Sequence, residues 1–256
     1  MAELPGSSDG FASTNCLRSQ LGHDRYQRCH LEIRGSRAQL RGSVKQREQE
    51  RAEQLLLAAR LLPFASSDTF TLLDLGAGTG AVTRAVLNEY PNASAILAEY
   101  SPQMMAEGKK VLTDFDGRYR YAEFDMLTSD WPADLPPLDA VISALAIHHL
   151  PDERKKSIFR EIYQRLKPAG WFLNFDPIRA PDDGMELVWQ RTNDKYDPSG
   201  PYKRTHRTPQ EQARYENHVR YMIPLAPQLE WLRAAGFVDV DVFWKRLDWV
   251  IYGGRR

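Results

Sequence analysis

The sequence predicts an α/β fold: a mostly parallel sheet with helices on both faces, closed by an antiparallel C-terminal strand. Three observations predict it. From Phe70 onward, short apolar runs alternate with amphipathic helical stretches, the pattern of βα units that build a parallel sheet. The first apolar run passes through a glycine-rich turn straight into a helix, in LLDLGAGTGAVT, Leu72 to Thr83. Near the end, FVDVDVFWK and WVIYGG lie too close together for a crossover and therefore pair antiparallel.

Taken in order, residues 1–45 are rich in Gly, Ser, Arg and Gln and show no sustained period, so they are expected to form a partly disordered arm. Residues 46–256 are expected to form one domain. Between Gln46 and Leu62, the spacing of Leu55, Leu56, Ala59 and Leu62 predicts an amphipathic helix ended by Pro63. Strands are expected at 70–75, 94–99, 119–124, 138–144 and 170–175, with helices at 80–89, 102–112 and 152–166. Pro151 and Asp152 make the start of the last helix, and LKPAGW a turn back into the sheet. Pro, Gly and charge dominate from Pro177 to about Pro227, with helical patches at Met185–Trp189 and Gln210–Tyr221. An insertion of that length, 178–226, reads as a substrate lid. QLEWLRAAG is then a helix with a glycine stop. The two closing strands bring the sheet to seven.

Composition narrows the function classes. The 256 residues are 42% hydrophobic and 27% charged, enough apolar surface for a sizeable core. Lys plus Arg (34) balances Asp plus Glu (34), so no global field draws in nucleic acid or an anionic membrane. The start, MAELPGSSDG, has no basic region followed by an apolar one, and no apolar run approaches the roughly 20 residues that span a bilayer. The only cysteines, Cys16 and Cys29, allow one disulfide but no framework. A cytoplasmic protein without a membrane partner is the expectation.

The glycines carry the chemistry. Gly76, Gly78 and Gly80 follow an apolar strand and open a helix at Ala81; a Cβ there would block a ligand's approach to the backbone. Gly76, Gly78 and Ala81 also satisfy the dinucleotide fingerprint G-x-G-x-x-G/A, so a NAD-dependent enzyme is a competing reading. Asp74, two residues before the first glycine, adds the acid that this fingerprint lacks. From Leu72 to Arg256 the sequence resembles the class I S-adenosylmethionine-dependent methyltransferases, which implies a Rossmann-like fold and S-adenosyl-L-methionine as cofactor. The resemblance implies that Asp74, with Gly76, Ala77, Gly78 and Gly80, holds the methionine end. It gives Glu99, followed by Tyr100, the ribose hydroxyls, which a carboxylate can accept bidentately. Asp125 and the Met126 backbone are expected at the adenine, and Ser143 and Ala144 at the cofactor from the fourth strand. Arg47 is placed by its position to reach the cofactor carboxylate. These residues would line the carboxyl edge of the sheet.

Acceptor chemistry is less determined. His148 and His149, just past the fourth strand, are candidate general bases, though the ALxxHHL phrase occurs across the family with different acceptors and is equally read as packing. Asp176 faces the expected acceptor side or simply makes the turn before Pro177. Lys203, Arg204, His206 and Arg207 form a cationic cluster that is either a solvated face or a grip on an anionic acceptor, tRNA included. Trp189, Tyr196, Tyr202, Tyr215 and Tyr221 either wall a flat substrate or pack against the sheet. The stretch RYENHVRYMIPLAPQLEWLRAAGF resembles ubiquinone-biosynthesis-type methyltransferases and, more distantly, the carboxy-S-adenosylmethionine synthases of tRNA modification. In the latter an Arg of the insertion holds an extra carboxylate, and Arg214 lies near that place without the matching spacing. The overall expectation is methyl transfer to a small-molecule acceptor, with carboxy-S-adenosylmethionine chemistry, tRNA modification and a non-catalytic cofactor-binding role as alternatives.

Overall fold

The computed structural model describes residues 48–196 and 208–256. The arm, Cys16, Cys29, Arg47, Tyr202 and the 203–207 cationic cluster lie outside them.

Seven strands form one sheet: β1 (Thr71–Leu75), β2 (Ser94–Glu99), β3 (Tyr119–Glu123), β4 (Leu138–Ala144), β5 (Leu166–Pro177), β6 (Val238–Arg246) and β7 (Trp249–Arg255). Their order is β3-β2-β1-β4-β5-β7-β6. The first five are parallel, while β7 runs antiparallel to both β5 and β6. Among the described residues, seven α-helices accompany the sheet: α1 (48–60), α2 (Ala81–Glu89), α3 (Pro102–Val111), α4 (Asp152–Arg165), α5 (Asp183–Tyr196), α6 (Pro209–Val219) and α7 (Leu225–Ala235).

The two-residue period of β1 decides which layer each side chain joins. Leu73 and Leu75 enter the core with Ile158, Phe159 and Ile162 of α4 and Leu232 of α7. Leu72 points to the other face, with Leu55, Ala58 and Ala59 of α1 and Val82, Val86 and Leu87 of α2. Asp74 shares the parity of Leu72, so the one charged residue of β1 is delivered, buried, toward α2. Each fully buried Leu, Ile or Phe contributes about 1.5–3 kcal/mol, which is what holds both layers to the sheet.

Local signals set the helix ends. Ser101 accepts from the Met104 N–H as N-cap of α3, with Pro102 at its first position. Helix α7 stops at Gly236 in the left-handed region, φ 109°. Two elements differ from expectation. Strand β5 begins at Leu166 because the LKPAGW turn is absorbed as a bulge: Leu138 pairs with Leu166 and Ala140 with Trp171, and the Arg256 backbone bonds both Ala169 and Gly170. Helix α5 runs well beyond the expected Met185–Trp189 patch, to Tyr196, and starts at Asp183 because Asp182 caps it by accepting from the Met185 N–H.

No helix among the described residues is long and apolar enough to cross a membrane.

Candidate functional site

The strand order reverses between β1, which leads out to β2, and β4, which leads the other way. A ligand cleft is expected at the carboxyl ends of the strands there. A cavity of about 370 Å³ occupies that place, within the usual range of small-ligand sites, roughly 300–1,000 Å³. Its floor is the glycine loop.

Gly76, Gly78 and Gly80 all adopt left-handed backbone, at φ 72°, 55° and 82°, which a Cβ would strain. The loop is tied to β2: the N–H groups of Gly76 and Ala77 donate to the Ala98 carbonyl at 2.9 and 3.1 Å. Asp74 sits beneath it. One carboxylate oxygen accepts from the Thr83 N–H at 3.0 Å and the Thr83 hydroxyl at 2.8 Å, pinning the first turn of α2 to β1. Burial pushes its pKa up to about 6, against the Thr83 hydrogen bonds that pull it down. Tyr121 donates its hydroxyl to the Gly78 carbonyl at 3.0 Å and steadies the loop from β3.

Glu99, at the end of β2, lines the cavity. Its Oε2 accepts from the Gly78 N–H at 2.8 Å, and its Oε1 accepts from the N–H groups of Tyr100 and Ser101 at 3.1 and 2.9 Å. Three of the roughly four lone-pair sites of a carboxylate are thus engaged. Glu99 is the joint between the glycine loop and α3, and Oε2 keeps room for one further donor. Tyr100, 65% exposed, and Met126 also line the cavity.

Three expected positions fall elsewhere. Ser143 is buried and donates its hydroxyl to the Leu75 carbonyl at 2.9 Å, tying β4 to β1, because its parity on β4 turns it away from the cavity; Ala144 next to it does line the wall. Asp125 is exposed outside the lining, its carboxylate accepting from the Leu127 N–H at 2.9 Å in a turn. Asp176 does not reach the cavity either. It is buried, and accepts from the N–H groups of Ala146 and His148, the Asn174 amide and His148 Nδ1, the last at 2.8 Å. An ionised carboxylate only accepts, so His148 carries its proton on Nδ1. Asp176 thereby organises the loop after β4, where Leu145, a cavity residue, is held at φ 59°. Of the candidate bases, His149 lines the cavity and His148 lies buried behind it. Burial, then the neighbouring His148, lowers the pKa of His149.

Other residues of the site carry no sequence signature. Arg51 of α1, four positions after Arg47 in the sequence, lines the cavity. Arg154 of α4 donates to the carbonyls of Met126 and Thr128 and pairs with Glu161 at 2.7 Å, fixing the loop after β3. Lys155, fully buried, reaches Asp152 and the Tyr221 carbonyl and so fastens the insertion to α4. Trp189 is buried under the Lys245 ammonium, 4.3 Å from the ring centroid, in keeping with packing rather than a substrate wall.

Residues 72–170 match the family of methyltransferase domains. The chain shares 33% identity over 119 residues with a demethylmenaquinone methyltransferase of Chlamydia caviae, covering 45% of this chain and 47% of that protein. With a carboxy-S-adenosyl-L-methionine synthase of Chromohalobacter salexigens it shares 28% over 138 residues, covering 52% and 48%. The chain thus spans about half the length of these curated relatives. An O-methyltransferase family protein from Burkholderia thailandensis has the same fold, with a TM-score of 0.58 at 16% identity over 80% of this chain and 56% of that one. The similarity of residues 72–170 to methyltransferase domains supports S-adenosylmethionine over NAD as the ligand of the Gly76, Gly78 and Ala81 loop.

Proposed function

We propose that this protein transfers the methyl group of S-adenosylmethionine to a small-molecule acceptor. The observation that carries the reading is the cavity itself: it lies where the strand order reverses, is floored by the left-handed glycine loop and walled by Glu99, and the sheet is closed by an antiparallel β7. When bound, the cofactor's sulfonium supplies an already activated methyl group for in-line displacement. The chain's work is alignment and exclusion of water. Glu99 accepts a ribose hydroxyl at Oε2 and takes the second after yielding an amide from Oε1. Asp74, under the loop, supplies negative charge toward the methionine end, and Arg51 faces its carboxylate. Tyr100 and Met126 offer apolar surface to the adenine, with Asp125 outside the wall. His149 is the group that can take a proton from an acceptor hydroxyl, and its lowered pKa keeps it unprotonated and able to accept near pH 7. The 178–226 insertion is the lid over the acceptor.

Calorimetry with S-adenosylmethionine, S-adenosylhomocysteine and NAD tests the first step: binding of NAD alone would end the proposal. Turnover to S-adenosylhomocysteine with a panel of phenols, quinols, amines and carboxylates tests the second and identifies the methylated atom. Bulk tRNA serves as the competing acceptor.

A further inference from the structure

Three histidines from two parts of the chain meet beside the cavity. His148 and His149 lie in a short 3₁₀ turn, Ile147–His149, after β4, and His218 lies in the last turn of α6, nearly 70 residues later. Their ring centroids are 3.9, 4.9 and 5.5 Å apart. One nitrogen from each ring lies within 4.8 Å of the others.

The protonation pattern is that of ligands. Asp176 accepts from His148 Nδ1, so the lone pair of His148 resides on Nε2. That nitrogen is buried and has no hydrogen-bond partner. A buried acceptor left unsatisfied costs about 1–3 kcal/mol, which asks for an electrophile at that point. The carboxylate–imidazole pair behind it is also the arrangement that orients a metal-binding histidine and raises its basicity. Asp176 is itself held by the Asn174 amide, which also reaches Tyr252 at 2.9 Å, and Tyr252 bonds Gln228 of α7 at 2.6 Å. The supporting shell is therefore anchored on three elements.

We propose that His148, His149 and His218 bind a divalent transition-metal ion of the imidazole-preferring class, with zinc as its representative. Tetrahedral zinc with Zn–N of about 2.0–2.1 Å sets its donor nitrogens about 3.4 Å apart, so small ring rotations bring the three imidazoles to ligation. The ion clips α6, and with it the insertion, onto the loop after β4. Three protein ligands leave a fourth position open, and because His149 also lines the cavity, that position faces it. There a water, or an acceptor's hydroxyl oxygen, completes the shell, and in the loaded site the ion, in place of a free His149 nitrogen, assists that oxygen's deprotonation. This last point rests on the methyl-transfer reading; the metal site does not.

The test uses the full chain, stripped with chelator and titrated with Zn²⁺ and Co²⁺ in the absence of cofactor and acceptor. One ion per chain is expected, with the visible absorption of tetrahedral Co²⁺. His149→Ala and His218→Ala should each weaken binding at least tenfold, and Asp176→Asn by about 10–100-fold. His149 is exposed, so its variant keeps the fold if the half-buried His218 position proves sensitive. The other three of the six histidines, His23, His30 and His206, remain in every variant and serve as the internal control. No ion bound by the wild type, or equal affinity in the wild type and the His149→Ala/His218→Ala double variant, overturns the site. Metal binding without methyl transfer would overturn only the role of the fourth position.

Discussion

Asp74 should make cofactor binding release a proton. Its carboxyl is fully buried, and burial raises its pKa to about 6. At pH 6 about half of the ligand-free molecules therefore carry a proton on Asp74. A cationic ligand end beside the carboxylate favours the ionised form, so binding at pH 6 should expel about 0.5 proton per site, and close to none at pH 8. If only the ionised form binds well, the apparent Kd weakens about tenfold between pH 8 and pH 5. Stability has the opposite sign. The folded pKa lies above the ordinary carboxyl value, so this group's contribution is present in full below that value and is lost as pH rises through about 6; the bound cation restores it. Calorimetry at pH 6 in two buffers of different ionisation enthalpy measures the released proton. His149 also lines the cavity and titrates below its usual range, so the wild type is compared with Asp74→Asn, which removes only the Asp74 share. Equal proton release from both proteins, or an affinity flat from pH 5 to pH 8, would refute the argument.

Gly108 of α3 is where a Cβ would lie 1.8 Å from the Tyr121 hydroxyl. Gly108→Ala should displace that ring, free the Gly78 carbonyl and weaken S-adenosylmethionine binding roughly tenfold (about 1.4 kcal/mol) without touching the ligand, as read by calorimetry with circular dichroism as the fold control. Glu99→Gln keeps the shape but loses the charge that holds three backbone N–H groups; a loss of at least tenfold in cofactor affinity is expected, because bonds to an ionised acceptor are about twice as strong as neutral ones. Arg154→Met strands Glu161 and frees two carbonyls in a mostly buried network. The cost is about 1–3 kcal/mol, or about 2–4 °C in Tm per kcal/mol for a chain of this size, measured by thermal unfolding. If the acceptor is a hydroxyl, His149→Ala should lower kcat about 100-fold or more, and an unchanged kcat would remove His149 from the chemistry.

The sheet was legible because parallel strands buried on both faces leave continuous apolar runs. TLLDL, SAILAE and LDAVISA could hardly be anything else. Helix α5 was underestimated because Asp182 caps it across Gly184, and the start of β5 because its pairing depends on Arg256, nearly 90 residues away. The position of the glycine loop, Asp74 and Glu99 at the cavity could be read from the sequence, since each lies at or just past the end of a strand whose apolar run is plain. The roles of Ser143 and Asp176 could not. Which face of β4 or β5 meets the cavity is decided by register against neighbouring strands, and a one-residue step reverses it. Arg51, Arg154 and Lys155 escaped because charged residues on amphipathic helices look solvated until tertiary packing brings them to the cavity, as for Arg51, or covers them, as for Arg154 and Lys155. The same applies to His218, whose ring partners His148 and His149 lie some 70 positions earlier.

The left-handed backbone at Leu145 acts as a loaded spring in the cavity wall. A side chain in that region costs about 1–2 kcal/mol, and what keeps it there is the capture of the next N–H groups, Ala146 and His148, by Asp176. The catch is buried behind the wall, out of the cavity's reach. The shape of the pocket therefore depends on a carboxylate that no bound molecule touches, and a substitution there could redraw acceptor preference while every cavity-lining side chain stayed the same.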